Sequence, residues 1–212
     1  LSKEEVEKVV SIGNPITRAG ELIEMGNCVN CKSIDNRVSV FILIETLRSL
    51  KDKEVPYDVY GVFTVQEEVG IRGANVSAHS INPDFGFGLD TTIAFDLPGA
   101  QPHEKVTELG KGTAIKIMDA STICDYRMVA YMKEVADKNK IKWQPEVLTA
   151  GGTDTAGVQR MGKGGAISGA VSIPTRHLHQ VIEMADKNDI KASIDLLKAC
   201  LEHLDSKDWS HY

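Results

Sequence analysis

Apolar positions recur at two spacings along this chain, and the switches between them mark out the predicted elements. In "NRVSVFILIETLRSLKDK" (36–53) they fall three and four apart and run into a basic end stopped by "EVP", which predicts a helix. "YDVYGVFTV" (57–65) is rich in β-branched and aromatic residues and predicts a largely buried strand. "GIRGANVSAHSI" (70–81) suits a helix broken by Asn82-Pro83. "FGFGLD" (85–90) predicts a short strand, and "TTIAFDLPG" continues extended to a Pro-Gly turn. Farther on, "GTAIKIMD", "QPEVLTA" and "GGAISGAVSI" predict strands, "GGTDTAGVQRMG" a glycine turn into a short helix, and "ICDYRMVAYMKEVADKNK" and "DIKASIDLLKACLEHL" helices. Residues 1–31 alternate only weakly, with glycines at 13, 20 and 26, and suggest short strands and turns.

Strands alternating with helices of these lengths predict an α/β domain: three layers, α/β/α, around a mixed, largely parallel sheet. Sites in such sheets gather at the carboxyl ends of strands. Acidic residues fall there: Glu67 and Glu68 after one predicted strand, Asp90 after the next.

Bulk properties narrow the function. A chain of 212 residues suffices for one good-sized domain. Its net charge of −6 argues against nucleic acid as the main partner. No apolar run approaches the roughly 20 residues that a membrane-spanning helix needs. The chain opens at Leu1 on "SKEEVEK", which resembles neither a signal nor a transit peptide and reads as the middle of a longer, cytoplasmic protein. Of four cysteines, Cys28 and Cys31 form a lone C-x-x-C with no second pair to complete a zinc site, so reduced structural thiols are expected.

Taken singly, the polar candidates have plain explanations. Asp35 precedes a helix and suits a cap, Glu67 and Glu68 suit solvated strand-end acids, Asp90 suits a turn, and His179 a surface histidine. Taken together, they suit a pair of metal ions. A dinuclear zinc site needs carboxylates and an imidazole, with one carboxylate shared between the ions. A further carboxylate must stay free to take a proton from water. Adjacent glutamates divide those tasks, and the cation offsets their mutual repulsion.

The ordered segments "KSIDNR", "TVQEEVGIRGA", "FGLDTT" with "DLPG", "GGTDTAGVQ" and "SIPTRHLHQVIEM" resemble the TET-type deblocking and glutamyl aminopeptidases, some once labelled endoglucanases. The resemblance runs from about residue 30 to the end. It implies that Asp35 bridges two metals, that Glu68 and His179 hold one of them and Asp90 the other, and that Glu67 is the catalytic base. It implies two divalent ions, with zinc expected and cobalt also compatible, peptide substrates, and a homo-oligomer of two or more chains. "GGTD" (151–154) resembles a loop lining the substrate pocket.

The departures are informative. His177 stands where relatives often carry tyrosine, and it competes with His179 for the metal because residues two apart share a strand face. The family's N-terminal His-x-Asp motif has no counterpart here, since residues 1–34 contain no histidine. His79 and His103 are poor substitutes. The chain therefore divides, by resemblance, into a remnant of a β-rich inserted domain (1–31) and the C-terminal portion of a metallopeptidase catalytic domain (32–212) missing its first strands. Two other readings stay open: an inactive fragment with a partial metal site that acts as a metal-binding or self-associating module, and a glycoside hydrolase. The last needs two carboxylates roughly 5–9.5 Å apart flanking a sugar bond, which adjacent glutamates serve poorly.

Overall fold

The computed structural model describes residues 1–211, so the last position of the expected 32–212 unit lies outside the described residues. In chain order the elements are α1 (Lys3–Val6), β1 (Ile23–Met25), β2 (Cys28–Cys31), α2 (Ile34–Leu50), a 3-10 turn (Glu67–Val69), α3 (Arg72–Ile81), β3 (Phe85–Ile93), β4 (Thr113–Met118), α4 (Tyr126–Lys138), β5 (Trp143–Val147), α5 (Asp154–Arg160), β6 (Ile167–Arg176), β7 (Glu183–Asp186) and α6 (Lys187–His203). The strands form one mixed seven-stranded sheet. Its longest register is the parallel ladder from Phe85↔Ile167 to Ile93↔Thr175, and β4 and β5 are also parallel. Shorter antiparallel ladders join β4 to β6, β6 to β7, β7 to β2, and β2 to β1. The hairpin of residues 23–31 thus hydrogen-bonds onto the same sheet as the strands after residue 32.

Alternation along β3 and β6 sends two kinds of side chain to two sides. Phe87, Leu89, Val171 and Ile173 pack with Ile42, Met128, Met132, Leu196 and Leu197 from α2, α4 and α6. On the other side Gly86 and Gly88 let α5 approach closely. A Cβ on Gly88 would lie 1.9 Å from Thr155 Oγ1, and one on Gly86 would lie 2.3 Å from a methyl carbon of Val158. That second side is polar. Lys116 is only 1% exposed, and its ammonium sits 2.5 Å from Glu146 Oε1 and 3.3 Å from Asp119 Oδ2. Thr92 donates to the same Glu146 oxygen at 2.7 Å.

Three expectations need correction. Residues 57–65 run without a strand partner among the described residues, with Phe63 53% and Val65 69% exposed. Their composition favours a strand, but a strand exists only where a neighbouring edge takes its backbone groups. Asp90 lies inside β3, not at its end, because the ladder with β6 continues through Thr175. His177 and His179 lie in a turn beyond β6, with φ of 59° and 64°, so they share no strand face. No helix among the described residues is long and apolar enough to cross a membrane.

Candidate metal centre

Three separate segments deliver the site. Asp35 enters from β2 through Ser33, whose backbone is left-handed (φ 61°), at the irregular start of α2. Its side chain does not cap the helix; it points to His179, 3.1 Å from Asp35 Oδ2 to the imidazole Nε2. The neighbouring Asn36 ties this corner to the sheet by donating from Nδ2 to Leu89 O at 3.0 Å.

Glu67 and Glu68 occupy the 3-10 turn between Gln66 (φ 60°) and Ile71 (φ 57°). A β-branched residue in the left-handed region is strained, and such strain collects where a turn must present particular groups. The Glu67 carbonyl accepts from the amides of both Gly70 and Ile71, at 3.0 and 2.9 Å, which closes the turn. Glu68 Oε1 then stands 3.5 Å from His179 Nε2.

Asp35, Glu68 and His179 each offer one ligand atom, and the three atoms lie within 4.8 Å of one another. Atoms about 2 Å from a tetrahedral zinc stand about 3.3 Å apart. The observed 3.1 and 3.5 Å separations bracket that spacing, and two carboxylates with one imidazole are a suitable donor set. The residues present therefore fit a divalent cation. They line an open cleft of about 300 Å³, with the His179 side chain 67% exposed and that of Asp35 only 12%.

The other two predicted site residues lie outside this three-residue cluster. Asp90 is buried and its Oδ1 accepts from the Thr91 amide at 2.8 Å. Burial, then the nearby charge of Asp35, pushes its carboxyl well above the usual range. Glu67 is pushed up to about 7, first by burial and then by the charges of Asp154, Glu68 and Asp35. None of Asp35, Glu67, Glu68 and Asp90 pairs with a lysine or arginine among the described residues. Such a gathering of unneutralised acids near one imidazole favours an added cation.

His177, His79 and His103 stay out of the three-residue cluster. His79 sits on α3 and His103 in a short turn, both exposed. The "GGTD" loop reaches the site through Asp154, whose Oδ2 accepts from Thr64 Oγ1 at 2.5 Å and whose charge contributes to the shift of Glu67. Sequence reasoning passed over Glu183, which lies in the quoted "SIPTRHLHQVIEM" segment. It is 2% exposed, and its carboxylate accepts from the amides of both Asp35 and His179 at 2.9 Å.

Comparison with known proteins places the chain in a family. The M42 glutamyl aminopeptidase family matches residues 1–196. The lysyl aminopeptidase of Pyrococcus furiosus is 35% identical over 84% of this chain and 49% of its own length. A TET aminopeptidase structure from a marine-sediment Thaumarchaeota archaeon superposes with a TM-score of 0.92 at 36% identity, over 96% of this chain and 58% of that one. The TET1 peptidase of Pyrococcus horikoshii, which can assemble into a tetrahedron or a large octahedral shell, superposes with a TM-score of 0.80 at 30% identity, over 94% and 58%. The chain thus spans between 49% and 58% of the length of these relatives.

Proposed function

The chain belongs to the M42 glutamyl aminopeptidase family, and on that premise we propose that it carries the chemistry of a metal-dependent aminopeptidase, removing N-terminal residues from peptides. The observation that carries the proposal is the convergence of Asp35, Glu68 and His179 within 4.8 Å in a cleft of this family. Asp35 would be shared between two divalent ions, with Glu68 and His179 on one and Asp90 on the other. Zinc is the expected metal and cobalt also suits the donors. A cation there supplies Lewis-acid polarisation of the scissile carbonyl and of water.

The protein's own groups do the rest. Glu67 takes a proton from the attacking water and returns it to the leaving amine. A Glu67→Gln variant should lose roughly 100- to 10,000-fold in turnover of aminoacyl reporter substrates while retaining bound metal; undiminished turnover rejects the assignment. Because the family and the Pyrococcus furiosus relative carry glutamyl and lysyl names, both reporters belong in the assay. By likeness to the Pyrococcus horikoshii peptidase, the protein would work as a homo-oligomer.

A second reading has its own support: the cluster gathers three ligands around one position and leaves Asp90 apart. On that reading this chain binds one ion without turnover, as a metal-binding or self-associating module. Zinc stoichiometry separates the two. Two ions per chain with peptide hydrolysis support the enzyme, and one ion without hydrolysis supports the module.

A further inference from the structure

We infer that Glu183 is a positioning residue that sets the spacing of the metal ligands, an inference that rests on the metal reading above. Glu183 begins β7, where it pairs with Cys31, and so belongs to the rigid sheet and not to either loop it serves. One carboxylate oxygen accepts from the Asp35 amide and the other from the His179 amide, both at 2.9 Å. Asp35 and His179 come from segments far apart in the chain and share no backbone hydrogen bond. This single buried group therefore joins them directly. It holds His179 in a left-handed conformation (φ 64°) that a non-glycine residue adopts at some cost.

The chemistry explains why a carboxylate serves here. Here the two amides meet different oxygens of one side chain, and a carboxylate offers both without presenting a hydrogen of its own. Glu183 forms no ion pair with a lysine or arginine among the described residues, and the two amides are the donors that meet its carboxylate. A cation held by Asp35 and His179 would help offset its charge. Outer partners of this kind orient ligands and typically contribute 10- to 100-fold in metal affinity.

The test is zinc affinity, measured on this 212-residue chain by competition with a chromophoric chelator. Glu183→Gln keeps the shape but turns an amide N–H₂ toward one backbone donor, and it should lose about 10- to 100-fold in affinity. Met128→Ala, in the apolar core under α4 and outside the cleft, serves as the control for general loosening and should bind zinc like the parent chain. If Glu183→Gln does not fold, Glu183→Asp, which keeps the charge but shortens the reach, should lose at least tenfold. Parent-like affinity in the folded Glu183 variant overturns the inference, as does an equal loss in Met128→Ala. His179→Ala reports separately on the metal reading. If the parent chain binds no zinc, or binds it undiminished without His179, the metal reading falls and this inference falls with it.

Discussion

The two sides of the central sheet are built from the same strands yet solve opposite problems. On the side of α2, α4 and α6, the residues of β3 and β6 are Phe87, Leu89, Val171 and Ile173, and they bury apolar area against helices. On the side of α5, the alternate positions are Gly86, Gly88, Ser168, Ala170 and Ser172, and the bulk comes instead from a buried lysine and its two acids. One side is held by exclusion of water; the other buries an ion network in which Lys116 meets Asp119 and Glu146 while Glu146 Oε2 stays without a hydrogen-bond partner. The polar side shows how this fold treats acids it intends to keep: Glu146 and Asp119 have Lys116. Asp35 and Glu68 have only an imidazole within ion-pair distance among the described residues, with Arg18 and Lys32 farther off in the cleft wall. That contrast is the strongest physical reason to read them as ligands for an outside cation.

The largest test of this contrast is Lys116→Met. It leaves two carboxylates buried and unpaired, and should cost about 3–5 kcal/mol in chemical unfolding. Adding Glu146→Gln to that variant should restore part of the loss, because the remaining charge is smaller. A loss below that of an ordinary surface change would show that the ion network contributes nothing to stability. On the apolar side, Met128→Ala removes a fully buried side chain and should cost about 2–5 kcal/mol. Gly88→Ala attacks the close approach of α5, since its new Cβ meets Thr155 Oγ1. It should cost about 1–3 kcal/mol, and Gly88→Ala combined with Thr155→Ala should cost less than Gly88→Ala alone.

The smallest effect is a slope with pH. Asp189 on α6 accepts from the amides of Gly110 and Gly112, each at 2.7 Å, and burial pushes its carboxyl from 3.8 up to about 6. Between those values the folded chain holds a proton that the unfolded chain has released. Its contribution to stability is therefore greatest below about pH 4 and declines as pH rises to about 6. Replacing it with asparagine should flatten that part of a stability-against-pH curve measured by thermal unfolding.

Much of this arrangement was legible in the chain. The strong apolar periodicities predicted α2, α4 and α6, and the β-rich runs predicted β3, β4 and β6, because each buries a face long enough to show its period. The motifs placed Asp35, Glu68 and His179 at one site, and they do meet. Short strands were legible only as an unplaced suggestion within residues 1–31, where β1 and β2 lie. β1, β2 and β7 have three or four residues each, too few for alternation to stand out. Glu183 was hidden for the same reason: its role depends on accepting two amides brought together only by folding, and nothing in its neighbours' composition announces that. The segment 57–65 failed in the opposite way, since its local preference was clear and no described strand pairs with it.

That segment has a practical consequence. Tyr60, Phe63 and Val65 leave an oily, extended ribbon in contact with water, the kind of surface along which copies of a chain zip together edge to edge. Concentrated solutions of this polypeptide should scatter more light per molecule than dilute ones, and a charged side chain substituted for Phe63 should suppress the rise.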